Sequence, residues 1–457
     1  MITINGPSNH RVYQRDDSGY ADISYELTLP RESQGSVEIR LLSVARRMID
    51  SAKGVAGGLT TYKSRFPKVP TGSYRIECQI MDGEQRRSIV VEPVHVGDLW
   101  VLAGQSNMEG CGKLIDIELP QTGVSCFYMG DRWDIAHEPL CWLNESLDRV
   151  NWRVPDEERT QIVERERRER TIGAGLGITF AKTIQRHTGV PIGLIMCAHG
   201  GSSIAQWEKA VVGKDEDGSS LYGAMLRKIN KLGGKIKGCL WYQGESEADA
   251  ENAGGYADRM ITWVADLRQD LGDQQLPFIY AQLSVVYFME SDAIWWNRIQ
   301  FEQLNLEEAL FPAAMVPTID AELSDIIHLN TASLRKVGDR MAVQALRLVY
   351  GYEGYSTGPR PDGVLWNKDR TELFIAIKGT NGYLRNEEKI YGLSVESNGR
   401  GLPISASITP DRQGISIHFE ATAPQNCQLW YGSGFNPTTN IKDALGIPLP
   451  MFGPLLL

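Results

Sequence analysis

Ser106 lies between two amide side chains in Gly104-Gln105-Ser106-Asn107-Met108-Glu109-Gly110, directly after the apolar run Asp98-Leu-Trp-Val-Leu-Ala103. The run reads as a buried strand that stops at Gly104. The hydroxyl would then sit at the carboxyl edge of a sheet, where open α/β folds carry their sites. A serine hydroxyl is a poor nucleophile until a neighbouring base takes its proton. Of the seven histidines, His328 is the best placed, because Asp325-Ile-Ile-His328 follows a predicted strand and precedes a predicted helix. Asp325 could orient the imidazole and stabilise its charged form.

Two further loops end predicted strands on the same edge, Cys197-Ala-His199-Gly200-Gly201-Ser202-Ser203 and Trp241-Tyr242-Gln243-Gly244-Glu245-Ser246. Paired glycines let backbone N–H groups approach a ligand closely, and the Gln243 side chain supplies an amide donor. Acyl transfer needs such donors where negative charge develops. Each loop alone reads as turn chemistry; four such loops after four predicted strands are much harder to dismiss. Gln105, Trp207 and Arg298 are candidate substrate contacts. Trp207 could line the site or fill the core, and Arg298, with Gln300 on the same helix, could face the site. His199 reads as a structural histidine.

The elements that must position these residues divide the chain into three. Residues 1–95 alternate in short runs such as Ser36-Val-Glu-Ile-Arg-Leu-Leu42 and Ser73-Tyr-Arg-Ile-Glu-Cys-Gln-Ile80, with a hairpin at Asp82-Gly83 leading into Arg87-Ser-Ile-Val-Val-Glu92. They predict a small β-sandwich. Over 96–352 strands alternate with helices. Pro191–Cys197, Lys237–Tyr242 (after a linker rich in Lys and Gly), Pro277–Ser284 and Ala313–Asp320 read as strands, with Pro317 marking an edge or bulge. Helical stripes run through Leu176, Phe180 and Ile184 to Gly189, through Tyr256, Met260, Val264 and Leu267 to Gly272, and through Trp295–Leu310 and Leu334–Leu348. This β-then-α order implies a parallel sheet covered on both faces. Residues 353–457 return to short strands and predict a second β domain. Eleven of the fifteen residues 156–170 are charged, which reads as a solvated helix carrying Glu164–Arg168 and Glu166–Arg170 pairs.

Composition narrows the partners. With 457 residues the chain exceeds one core, and a net charge of −10 argues against a nucleic-acid groove or an anionic membrane surface. No apolar run reaches the length of a membrane span. The seven cysteines show no CxxC pair or metal-like spacing, and Cys197 and Cys239 fall in predicted buried strands. The odd count and the absence of a signal-peptide pattern give a cytoplasmic location as the expectation.

Taken together, Gly104-Gln105-Ser106-Asn107-Met108, Gly200-Gly201-Ser202, Gln243-Gly244-Glu245 and Asp325-x-x-His328 resemble the blocks of the SGNH (GDSL-like) hydrolases, in the right order. The branch most like this chain contains sialate O-acetylesterases and acetylxylan esterases. Leu429-Trp-Tyr-Gly432, Asn436-Pro-Thr-Thr-Asn440 and Leu449-Pro-Met-Phe452 extend the similarity to the tail of sialate O-acetylesterases. The resemblance implies a flavodoxin-like, three-layer α/β/α domain with a parallel sheet, no metal or other cofactor, and an O-acetylated sugar or glycan as substrate. It implies Ser106 as nucleophile, His328 as general base and then acid, and an oxyanion hole made of the Ser106 N–H, a Gly200 or Gly201 N–H and the Gln243 amide. Asp325 fits the superfamily's acid, while Glu245 can partner the histidine in acetylxylan-esterase relatives; Asp325 is favoured. Acetylxylan or other glycan esterases, a GDSL-type lipase, and a carbohydrate-binding scaffold without catalysis are the alternatives.

Overall fold

The computed structural model describes residues 2–29, 35–56, 61–209, 220–386 and 388–457. Its longest strand, Gln85–Gly104, ends two residues before Ser106. The sequence reads Arg87–Glu92 and Asp98–Ala103 as separate strands, yet they form this one element. Its first half is mostly exposed and pairs antiparallel with Gly72–Asp82, while its second half is buried throughout and pairs parallel in the α/β part. The strand thus carries the chain from a β region into an α/β region without a break.

It belongs to an 11-stranded mixed sheet. In the α/β part the order is Trp133–Ile135, Val124–Phe127, Ile192–Met196, Gln85–Gly104, Gly238–Tyr242, Phe278–Ala281, Ala313–Val316. All neighbours here run parallel except the first pair. The strand at Ala313 stops at Val316, before Pro317, and is terminal in this order. Parallel strands buried on both faces need apolar residues throughout, and Leu99–Ala103, Ile192–Met196 and Gly238–Tyr242 are entirely buried.

Helices Gly177–Thr188 and Tyr256–Leu271 end on Gly189 and Gly272 in the left-handed region, the conformation a glycine adopts without a Cβ penalty. Ala293–Ala309 and Thr331–Val349 complete the expected set. Leu221–Lys231 is an additional helix. Its Lys-rich end had read as linker, but Leu221, Tyr222, Met225 and Ile229 form a buried stripe, and the Lys228 ammonium is satisfied by the carbonyls of Tyr128 and Met196. Trp207, Trp241 and Trp263 meet in the core, with ring centroids 5.4 Å and 4.5 Å apart in successive pairs. Among the described residues no helix is long and apolar enough to cross a membrane.

The charged helix Asp156–Glu169 buries no residue. Neither expected i,i+4 ion pair forms among the described residues. Arg167 reaches off the helix to pair with Glu145 and lies over Trp142, while Arg159 lies over Trp152 and keeps an i,i+3 pair with Asp156 at 3.8 Å. Guanidinium groups stack favourably on such flat, partly desolvated partners.

On the N-terminal side, a three-stranded sheet (Thr3–Asn5, Tyr20–Thr28, Thr61–Pro70) shares a core of Ile23, Tyr25, Ile39, Phe66 and Ile76 with the antiparallel strands of the large sheet. On the C-terminal side, two four-stranded sheets enclose Leu373, Ile375, Ile417, Leu429 and Tyr431. Buried Asp98 ties the N-terminal part to the α/β part, accepting from the Arg15 guanidinium at 2.9 Å and from the Tyr350 hydroxyl at 2.8 Å.

Candidate active site

Parallel register brings the candidate loops to one edge. Gly104 lies opposite Tyr242, and Leu102 opposite Met196. The Gln105 N–H donates to the Tyr242 carbonyl and the His199 N–H to the Gly104 carbonyl, both at 2.9 Å. Gly104 is required for this closeness: its φ is +129°, and a Cβ there would lie 2.3 Å from the Tyr242 carbonyl oxygen. The chain then turns into the short helix Ser106–Glu109.

His328 arrives from the other end of the sheet. An antiparallel bridge between Leu323 and Leu329 closes its loop, and Asn330 caps the following helix by accepting the Ser333 N–H at 2.8 Å. Within the loop Asp325 accepts three hydrogen bonds: Oδ1 from the N–H groups of Ile327 (2.9 Å) and His328 (2.8 Å), and Oδ2 from the His328 ring at Nδ1 (2.8 Å). Burial pushes the Asp325 carboxyl up, but these N–H groups and the imidazole outweigh it and hold it below the usual carboxylate range. The other ring nitrogen, Nε2, lies 2.9 Å from Ser106 Oγ. With Nδ1 protonated toward Asp325, Nε2 is an acceptor for the serine proton.

Glu245 does not reach the imidazole. Its Oε1 accepts the Asn107 amide at 2.9 Å, and Asn107 Oδ1 accepts the Leu329 N–H at 3.1 Å. Asn107 therefore stands as a spacer between Glu245 and the histidine loop, a role the sequence reading did not assign. Burial raises the Glu245 pKa, and its Oε2 is buried without a partner among the described residues.

Ser106 and His328 open on a cavity of about 440 Å³, also lined by Gln105, Gly200, Gly201, Glu245 and Ser246. Glu109, Cys111, Arg153 and Ile327 line it too. The position of Glu109 inside the serine motif could have flagged it. Arg153 follows no periodicity that would have done so. Glu109 Oε2 accepts the Gly200 N–H at 2.7 Å and the Arg153 guanidinium at 3.0 Å, and the guanidinium also donates to the Gly200 carbonyl at 3.1 Å. A Cβ at Gly200 would come within 2.7 Å of both side-chain ends, so a larger residue there would displace Glu109 and Arg153.

Four expectations change here. The Gly200 N–H is held by Glu109 and is not free for a ligand. The Gln243 amide is fully buried and donates to Glu247 at 2.5 Å and to the Ser202 carbonyl at 3.3 Å, because a buried carboxylate takes the nearest donor. Trp207 is core, its indole N–H donating to Ser202 Oγ at 2.9 Å. Arg298 is an exposed helix residue paired with Glu302, and Gln300 is buried against the Leu283 carbonyl; neither lines the cavity. His199 is structural, its Nδ1 3.2 Å from Asn151 Oδ1, and burial with the nearby Arg153 charge lowers its pKa to about 4.

Comparison with known proteins matches this frame. Residues 96–347 fit the family described as carbohydrate esterase, sialic acid-specific acetylesterase. A probable carbohydrate esterase of Arabidopsis thaliana is 30% identical over 277 residues, covering 58% of this chain and 95% of the relative. The crystal structure of a carbohydrate acetylesterase from Xanthomonas citri superposes with a TM-score of 0.69 at 21% identity, over 98% of this chain and 99% of that one, which shows a shared fold. The chain belongs to the sialic acid-specific acetylesterase family of carbohydrate esterases.

Proposed function

We propose that this protein is a serine O-acetylesterase acting on carbohydrates, with an O-acetylated sialic acid as its substrate. The observation that carries the reading is the continuous path from Asp325 Oδ2 through the His328 ring to Ser106 Oγ, 2.8 Å and 2.9 Å per step. A carboxylate, an imidazole and a hydroxyl in that order form an acyl-transfer device. The family's sialic acid-specific description supports the substrate.

In this reading Ser106 Oγ bonds to the acetyl carbonyl carbon as its proton passes to His328 Nε2, while Asp325 stabilises the imidazolium. The oxyanion meets the N–H groups of Ser106 and Gly201, neither of which has an acceptor among the described residues. The bond from carbon to the sugar oxygen then breaks, and His328 returns its proton to that oxygen. Water, deprotonated by His328, attacks acetyl-Ser106, and acetate leaves as Oγ regains its proton. We further infer that the α/β part is a flavodoxin-like, three-layer SGNH domain, a reading supported by five successive parallel pairings.

Ser106→Ala should abolish acetate release from O-acetylated sialic acid and from p-nitrophenyl acetate while the circular dichroism spectrum is unchanged. Retained turnover would remove Ser106 from the mechanism. Faster cleavage of long-chain p-nitrophenyl esters than of the acetate would point to a lipase. Preferred release from acetylated xylooligosaccharides would move the substrate to xylan.

A further inference from the structure

The segment from Gln282 to Asp292 has no regular structure but is pinned along its length. The Val286 N–H donates to the Phe435 carbonyl and the Tyr287 N–H to the Ile326 carbonyl, both at 2.9 Å, and Ser291 Oγ donates to the Ala248 carbonyl at 2.6 Å. Two of these anchors adjoin the cavity. Ile326 precedes Ile327 and His328, and Ala248 follows Glu245 and Ser246, all four of which line the Ser106 cavity. The segment therefore borders the cavity mouth between the histidine loop and the Glu245 loop.

Between the anchors stand Tyr287 and Phe288, 58% and 60% exposed, next to Ile326 at 57%. Ile327 carries this apolar surface into the cavity itself. Two rings held in water at the rim of a polar site suit a ligand that is apolar on one face and hydroxylated on its edge. The C–H bonds on one face of a pyranose carry partial positive charge and complement the negative π-face of an aromatic ring. A stable protein partner needs about 800 Å² on each side, far more than three side chains beside a cavity provide.

We propose that Tyr287 and Phe288 are specificity-determining residues that stack on the pyranose ring bearing the ester, so that its acetyl group enters the cavity toward Ser106. This inference rests on the esterase reading above. It assigns the rings to the leaving sugar, not to the acetyl group or the chemical step.

The test is the Tyr287→Ala/Phe288→Ala double variant of the full chain, assayed by acetate release. O-acetylated N-acetylneuraminic acid and a per-O-acetylated methyl pyranoside are the sugar substrates, and ethyl acetate is the control without a ring. The expected result is a kcat/KM at least 10-fold lower on the sugars, chiefly through KM, with ethyl acetate turnover within 2-fold of wild type. Tyr287→Phe should retain most of the wild-type KM. Unchanged sugar kinetics would overturn the proposal, as would an equal loss on all substrates, which marks a structural role. A wild-type dimer that the double variant makes monomeric, with sugar KM unchanged, would assign the rings to a second copy and overturn it. Wild-type protein that releases no acetate would instead refute the esterase reading. The platform would then stand or fall on whether the double variant abolishes saturation-transfer NMR signals of the same sugars.

Discussion

Asp325 holds His328 at two points, accepting both its backbone N–H and its ring N–H at 2.8 Å, so one carboxylate fixes the loop and the tautomer together. The geometry is compact because the two residues are three apart in a loop closed by the Leu323–Leu329 bridge. Asp325 is nevertheless 51% exposed at its side chain, so solvent screens part of its charge.

That arrangement ranks the two candidate acids. Asp325→Ala should lower kcat on p-nitrophenyl acetate by roughly 100- to 10,000-fold, the range for losing an oriented base. Glu245→Gln should stay within about 10-fold, since Gln can still accept the Asn107 amide and acts on His328 only through that spacer. The opposite ranking in steady-state kinetics would make Glu245 the histidine's partner.

Glu109 is expected to act as a positioning residue by holding the Gly200 backbone beside Ser106. Glu109→Ala leaves the half-buried Gly200 N–H without its carboxylate acceptor and should reduce kcat by about 10-fold or more as the glycine loop relaxes. Glu109→Gln keeps an acceptor and should restore most of the rate. A kcat for Glu109→Ala above that of wild type would show instead that the carboxylate obstructs a donor needed for turnover.

What could be read from the sequence followed from local physics. Apolar runs, helical stripes and terminal glycines located most of the parallel strands and most helices, though not the short strand Val124–Phe127, because apolar burial and the left-handed cap act over a few residues. Ser106, Asp325 and His328 could be read as a set because each sits just past a strand end on one sheet edge. Arg153 and Tyr287 could not, since their places depend on where irregular loops cross the edge. The destinations of the Gly200 N–H and the Gln243 amide were equally hidden. Both are captured by carboxylates, Glu109 and Glu247, and competition for a donor is decided only once the loops pack. Continuity through Gln85–Gly104 was masked by Glu92-Pro93, which reads locally as an interruption.

Gln243 offers a direct test of that competition. Its amide is spent on Glu247 and Ser202 inside the protein, so Gln243→Ala should cost stability, about 1–3 kcal/mol in urea unfolding. The drop in kcat should be well below the roughly 100- to 1000-fold that accompanies loss of an oxyanion donor. A loss in that larger range at unchanged stability would mean that the amide turns toward the substrate during turnover.

Glu247 should leave a pH signature. Burial, only partly offset by the Ile204 N–H and the Gln243 amide, pushes its carboxyl from 4.5 up to about 7. A raised carboxyl binds its proton more tightly in the native state than in the unfolded chain. Its contribution is therefore complete below about pH 4.5 and is lost as pH rises through about 7. His95 and His199 work in the opposite sense over much of the same window, because burial lowers both to about 4 and the unfolded chain takes up protons there first. Wild-type stability alone is then a poor guide, and the difference between variants isolates the carboxyl. Relative to wild type, Glu247→Gln should gain stability as pH rises from 4.5 to 7, by up to about 1.4 kcal/mol per pH unit, and hold that gain above 7. Guanidinium unfolding at several pH values measures it; a difference that stays flat, or falls with pH, would show that Glu247 is ionised throughout.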